Sequence, residues 1–130
     1  MDRLELRTRF AGRIEKFRLD EFDMDVWLRG LSALDRARVV DKYRVLDKVK
    51  DSDNALETLT VETQCYIVSR GLVDEKGSRI YSESDVPQIA DEMPCKALDA
   101  IAKRILEISG MSAVTVDDQI KNSNPTPSAG

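Results

Sequence analysis

Apolar residues between positions 14 and 29 alternate with charged ones on both sides of a short acidic segment. The alternating apolar positions are Phe17, Leu19, Met24, Val26 and Leu28. Because successive side chains of a strand point to opposite faces, this pattern predicts a β-hairpin over residues 14–29. Trp27 falls on the opposite phase, so this side chain is either covered by another element or exposed.

From Ser32 onwards the apolar residues recur every three positions, which predicts a helix over about residues 32–50 with one apolar face. The repeating positions are Leu34, Ala37, Val40, Tyr43, Leu46 and Val49, and Val39 and Val45 widen this stripe. Ser32 with Asp35 three residues later resembles a capping box, although Asp replaces the usual Glu or Gln. On the solvated side we expect three ion pairs with i,i+3 spacing. They are Asp35–Arg38, Asp41–Arg44 and Asp47–Lys50.

Three further helices are predicted over about residues 55–70, 86–92 and 94–109. The inward positions of the first are Leu56, Leu59, Thr63, Tyr66 and Ile67. The apolar face of the last consists of Ala97, Leu98, Ile101, Ala102, Ile105 and Ile108. Residues 72–81 hold two short apolar pairs around a Gly-containing turn, which predicts a small turn or a minimal hairpin.

The two ends of the chain differ from its centre. Residues 1–13 are expected to form an arm or a short helix. Residues 111–130 are expected to be a flexible tail, because residues 120–130 have almost no apolar side chains. The predicted fold class is therefore mainly α with a minor β part. It consists of a single globular domain over residues 14–110, with four to five helices, an N-terminal β-hairpin and a disordered C-terminal tail.

The composition argues against catalysis. The chain has no histidine, which removes the usual general base, the commonest metal ligand and the usual nucleophilic triads. Cys65 and Cys95 lie thirty residues apart, so we expect two buried thiols in a reducing compartment rather than a metal pair. No glycine-rich phosphate loop or calcium loop occurs. We therefore expect no enzyme activity and no catalytic, cofactor or metal site.

The charge is unevenly distributed along the chain. Residues 1–50 carry 13 basic and 10 acidic side chains, whereas residues 51–130 carry 7 and 14. The basic residues are interleaved with acidic ones, so this asymmetry favours head-to-tail contact with another protein over nucleic-acid binding. The sequence has no apolar segment long enough to span a bilayer, and residues 1–5 are charged and alternating, so we expect no export signal, a cytoplasmic protein and no membrane partner.

The N-terminal segment and the hairpin supply the candidate binding residues. Arg3, Arg7, Arg9 and Arg13 alternate with apolar side chains, which suits a protein-docking arm better than a nucleic-acid contact. The residues that we assign to partner binding or self-association are Leu4, Leu6, Arg7, Phe10, Phe17 and Trp27.

Three motifs in this order resemble the tail assembly chaperones of long-tailed, lambda-like bacteriophages. They are LRGLS at residues 28–32, LVDEKGSRIYSESDV at residues 72–86 and AIAKRILEISG at residues 100–110. The resemblance covers roughly residues 14–110. Hydrophobic pattern and turn chemistry carry each motif, and their order and spacing carry the resemblance as a whole.

This resemblance implies a non-enzymatic assembly factor that binds the phage tape measure protein and recruits major tail tube subunits. It implies a protein of the host bacterial cytoplasm that is absent from the mature virion and self-associates into an oligomer or helical array. Many such proteins are made in two lengths by a ribosomal frameshift. The residues after Gly110 lie where such a switch would occur.

Two other functions fit the residues alone. One is a different phage structural protein, such as a connector, which would be present in purified virions. The other is a small nucleic-acid-binding regulator, which the arginines of residues 1–13 would support and which salt-dependent DNA binding would reveal.

Overall fold

A computed structural model of the chain describes residues 1–11, 13–51 and 53–111, and it shows five α-helices and three β-strands there. The helices are α1 (Arg3–Ala11), α2 (Ala33–Lys48), α3 (Asp53–Gly71), α4 (Val86–Glu92) and α5 (Cys95–Ile108). The strands are β1 (Ile14–Leu19), β2 (Met24–Arg29) and β3 (Leu72–Val73). The prediction of a mainly helical fold with an N-terminal hairpin is confirmed. Helices α2 to α5 lie where the sequence predicts helices, with ends that differ by at most two residues.

The hairpin forms in the register that the alternation requires. Phe17 pairs with Val26 across β1 and β2, and a 3-10 turn at Asp20–Phe22 followed by Asp23 in the left-handed region (φ 48°) joins the two strands. Strand β3 adds to the other edge of β2, so that the antiparallel order is β1-β2-β3. The minimal hairpin predicted within residues 72–81 forms, since Val73 makes an antiparallel bridge with Arg79. Its pairing with β2 was not predicted, because a two-residue strand is too short to show a period.

Helices α2 to α5 and the sheet all contribute side chains to the core. Its fully buried members include Leu28, Val39, Cys65, Ile67, Val68, Ile89, Ile101, Ile105 and Met111. The predicted apolar face of α5 is buried, apart from Ile108, which is only partly covered. Burying large aliphatic side chains supplies roughly 1.5–3 kcal/mol each, so this cluster is the main source of stability.

The predicted face of α2 is partly wrong. Val40 and Leu46 are buried, but Leu34 is 60% exposed and Val45 is 46% exposed. A helix turns about 100° per residue, so positions three apart drift by roughly 60° at each repeat and cannot stay on one face. Val39, which the sequence treats only as a side position, is instead fully buried.

Three further expectations are corrected. Asp35 does not pair with Arg38, because its carboxylate is buried and binds Arg79, whereas Arg38 binds Glu83. The other two ion pairs predicted for α2, Asp41–Arg44 and Asp47–Lys50, are present. Cys65 is buried, but Cys95 is exposed at the start of α5. Met111, expected to lie in the flexible tail, is 1% exposed and belongs to the core. The rest of that tail, residues 112–130, lies outside the described residues.

Candidate partner-binding surfaces

Helix α1 stands out because its large apolar side chains are exposed to solvent. Leu4 is 71% exposed, Leu6 42% and Phe10 73%. The helix forms through local contacts, since the Asp2 carboxylate accepts a hydrogen bond from the Glu5 backbone N–H at 2.8 Å and caps its first turn. Of the two alternatives for residues 1–13, the structure therefore shows a helix.

One face of α1 combines apolar and basic groups. Arg3, Leu6, Arg7 and Phe10 have the i, i+3, i+4 and i+7 spacing of residues on the same side of a helix. None of the ion pairs among the described residues involves Arg3 or Arg7. This face therefore presents apolar area and unpaired positive charge to solvent.

A groove runs between β1 and α5. Two adjoining cavities, of about 510 and 620 Å³, share Phe17, Ala100 and Lys103 in their walls. Phe17 is partly buried and packs against the core, while Lys103 is exposed on α5. The remaining lining side chains include both acidic and basic groups, among them Lys96, Asp99 and Glu107. The groove thus offers an apolar floor with rims of mixed charge.

An ion pair fixes the two walls of this β1–α5 groove. Arg104 donates from Nε and Nη2 to the two carboxylate oxygens of Glu15, each at 2.6 Å, and its Nη1 reaches Glu107 at 3.0 Å. The hydrogen bond from Arg104 lowers the pKa of Glu15, and the two carboxylates raise the pKa of Arg104. Both groups therefore remain charged at neutral pH, which suits positioning of β1 against α5 and not proton transfer.

The Glu15–Arg104 pair should make stability depend on pH. The Glu15 carboxylate binds a proton less readily in the folded protein than in the unfolded chain, where its pKa is near 4.5. The stability that the ion pair contributes is therefore present above pH 4.5 and is lost as the pH falls through the lowered pKa. We expect Glu15→Gln to lower Tm at pH 7, and this difference from the wild type to shrink as the pH falls below 4.5 and through the lowered pKa of Glu15. Thermal melts followed by circular dichroism across this range would measure it.

Glu75→Gln is the matched control, because Glu75 lies in an exposed turn and forms none of the described ion pairs. Its Tm should follow the wild type at every pH. A Tm difference for Glu15→Gln that stayed constant from pH 7 to pH 2 would contradict the assigned role of the pair.

A second groove lies between α3 and α4. Its cavity of about 440 Å³ is lined by apolar or small groups that include Val61, Val86 and Ala90, with Glu57 and Glu62 as the charged members. Sequence reasoning did not identify it. The available signal was Val61, an apolar residue outside the predicted inward set of α3, which is 36% exposed.

The six residues predicted from the sequence do not form one site. Leu4, Leu6, Arg7 and Phe10 lie on α1, and Phe17 lies in the β1–α5 groove. Trp27 is half-buried and pairs with Lys16 and Val73, on the opposite face of the sheet from Phe17. The structure thus separates them into three places, and their role in partner binding stays a prediction.

The most buried polar cluster is not arranged for chemistry. Asp35 accepts from Arg79 Nη2 at 2.9 Å and from the Tyr66 hydroxyl at 3.4 Å. Burial raises the pKa of Tyr66, so its hydroxyl stays protonated and serves as a donor. Across residues 1–11, 13–51 and 53–111, no group of three or more Cys, Asp or Glu side chains is placed to hold a metal ion.

Comparison with known proteins gives one match. Residues 15–128 match the family model described as the bacteriophage lambda tail assembly chaperone, TAC, protein G. No curated protein and no solved structure matches the chain. None of the helices that the structure describes combines the length and apolar character needed to cross a membrane. The family is one of chaperones and not of enzymes. Because the match extends over most of the sequence, from the second residue of β1 through α5, the chain belongs to the lambda protein G family of phage tail assembly chaperones.

Proposed function

We propose that this chaperone binds the phage tape measure protein in the host cytoplasm and recruits major tail tube subunits to it during tail assembly. In this proposal the chaperone self-associates along its client and is absent from the mature virion. Membership of the family supports the general role in tail assembly. The open β1–α5 groove with Phe17 in its wall is the observation that carries the assignment of client binding to this chain.

The groove suits a helical client. Its lining extends along α5 from Lys96 to Glu107, which corresponds to about 17 Å or three helical turns. An amphipathic helix lying there would place apolar side chains against Phe17 and Ala100 and polar ones beside the mixed-charge rims. A tape measure protein is long and helical, so repeated binding of such segments would mask its apolar stripes until the tube closes around it.

Substitution in the groove should weaken client binding. We expect the double variant Phe17→Ala, Lys103→Glu to bind the tape measure protein on the order of tenfold more weakly, which corresponds to about 1.4 kcal/mol, because it removes apolar contact and reverses one rim charge. Co-expression followed by affinity purification of the tape measure protein, with quantification of the bound chaperone, would measure this.

Lys48→Glu is the matched control, since it reverses the charge of another exposed helical lysine that does not line the groove. It should co-purify like the wild type. Equal retention of the groove variant and Lys48→Glu would show that the client binds elsewhere. Detection of the chain in purified virions would instead favour the connector alternative.

A further inference from the structure

We infer that α1 of one copy docks in the α3–α4 groove of a second copy, and that this contact joins the copies head to tail. The inference deepens the proposed self-association and rests on it. Helix α1 precedes residue 15, where the family match begins, so the contact concerns a segment outside the matched region.

Helix α1 needs a partner for physical reasons. It has nine residues, and helices shorter than about 12–15 residues are marginal in water unless an apolar face packs against something. Yet Leu6 and Phe10 are exposed, and so is every side chain described in α1. The stability of this helix therefore depends on a surface that the single copy does not supply.

The α3–α4 groove has the complementary chemistry. Its walls provide Val61, Val86 and Ala90 for apolar contact, and Glu57 and Glu62 are its charged lining groups. Neither glutamate takes part in the ion pairs described for residues 1–11, 13–51 and 53–111. An exposed basic and apolar helix face and an acidic and apolar groove, with their charges unpaired, match in sign and in character.

The spacings of the charges also match. Along α1, Arg3 and Arg7 are separated by about 6 Å, and along α3, Glu57 and Glu62 are separated by about 7.5 Å. The two spacings along the helix axes are therefore similar, and Glu57 and Glu62, which differ by about 140° around α3, flank the groove that both of them line. Leu6 and Phe10 lie on the same face of α1 as the two arginines and would meet the apolar walls.

Helix α1 does not occupy the groove of its own copy in this structure, because every side chain described in α1 is exposed. Helix α1 is linked to Ile14 by a segment that spans at most about 10 Å from Ala11. Ile14 lies at the end of the sheet where neighbouring Glu15 binds Arg104, close to where Gly71 at the end of α3 meets Ile105. Along α3 the groove lining extends from Glu62, nine residues before Gly71, to Glu57, fourteen residues before it. These two positions lie about 14 and 21 Å from Gly71 along the helix axis.

This placement determines the kind of assembly. Helix α1 leaves the body at one end of α3, and the groove that receives it lies towards the other end. Such a contact joins two different surfaces, so the copy that supplies the helix keeps a free groove and the copy that supplies the groove keeps a free helix. Repetition of a heterologous contact that does not close gives a linear or helical array, which suits a long client.

A charge-swap experiment on the full chain tests the inference. Sedimentation velocity over a range of concentrations would measure association for the wild type, for Arg3→Glu with Arg7→Glu, for Glu57→Arg with Glu62→Arg, and for the chain that carries all four changes. We expect each double variant to associate at least about tenfold more weakly and the fourfold variant to recover most of the association, because both partners are then reversed.

Arg9→Glu with Lys48→Glu is the control, since Arg9 lies on another side of α1 and Lys48 lies outside the groove. Association that is unchanged in either double variant, or not restored in the fourfold variant, would overturn the inference. A wild type that stays monomeric would also overturn it. Tape measure co-purification of the Arg3→Glu, Arg7→Glu variant separates the two proposals, because client binding should persist when only self-association is lost.

Discussion

Replacing Arg79 with methionine is expected to lower the free energy of unfolding by about 2–4 kcal/mol. Arg79 Nη2 lies 2.9 Å from the Asp35 carboxylate, whose side chain is only 6% exposed. Methionine keeps most of the apolar stem but removes the charge, so Asp35 would stay buried with the Tyr66 hydroxyl at 3.4 Å as its remaining side-chain donor. Urea denaturation followed by far-UV circular dichroism would measure the loss.

Two controls give this prediction its specificity. Lys96→Met removes a cation whose ion pair with Glu21 is exposed, so it should change the free energy of unfolding by no more than about 0.5 kcal/mol. Adding Asp35→Asn to Arg79→Met removes the uncompensated charge and should recover part of the loss. If Arg79→Met proved as mild as Lys96→Met, the Asp35 carboxylate would have to be stabilised by solvent.

The same pair shows what local sequence patterns can predict and what they cannot. Ser32 and Asp35 mark the start of α2, and the Ser32 hydroxyl does accept a hydrogen bond from the Asp35 N–H at 3.1 Å. The side-chain partner of Asp35 lies 44 residues away, in the turn after β3. Because helix spacing offered Arg38 as a nearby cation, the pattern favoured a surface pair where the fold forms a partly buried one.

Elements that bury residues at a regular spacing along the sequence were predicted well. The hairpin follows from alternation of apolar and charged residues, and α5 follows from an apolar face with positions three and four apart. The residue range of α2 was predicted correctly, but the face that it buries was not, because positions three residues apart drift around the helix. The sequence thus located this element without determining which side meets the core.

The candidate binding surfaces differ in the same way: one is formed by residues close in sequence, and the others by residues far apart. The exposed face of α1 lies within eleven residues, so its arginines and apolar side chains were visible in the sequence as a docking arm. The α3–α4 groove joins Glu57 and Val61 to Val86 and Ala90, which only tertiary packing brings together. The β1–α5 groove likewise needs strand and helix placed side by side, so Phe17 was identified while its neighbour Lys103 was not.

The second large effect is expected at Gly71, where the end of α3 packs against Ile105 of α5. A Cβ atom built there would lie 2.6–2.7 Å from Cδ1, Cγ2 and Cγ1 of Ile105, which is fully buried. Both branches of Ile105 are in the way, so no single change of rotamer relieves the clash. We expect Gly71→Ala to lower the free energy of unfolding by about 1–3 kcal/mol.

The sign of this effect is diagnostic, because Gly→Ala within a helix ordinarily stabilises by roughly 0.5–1 kcal/mol. Gly30→Ala is the control, since its added Cβ would make only ordinary contacts, the nearest being Ile108 Cγ2 at 3.6 Å. Ile105→Ala should cost about 2–5 kcal/mol alone, but less when combined with Gly71→Ala, because the new methyl group then enters the space that the isoleucine leaves. If the losses of unfolding free energy for Gly71→Ala and Ile105→Ala, measured by urea denaturation, simply added in the double variant, α3 and α5 would not be in close contact here. The fixed relation between the α3–α4 groove and the β1–α5 groove would then need another source.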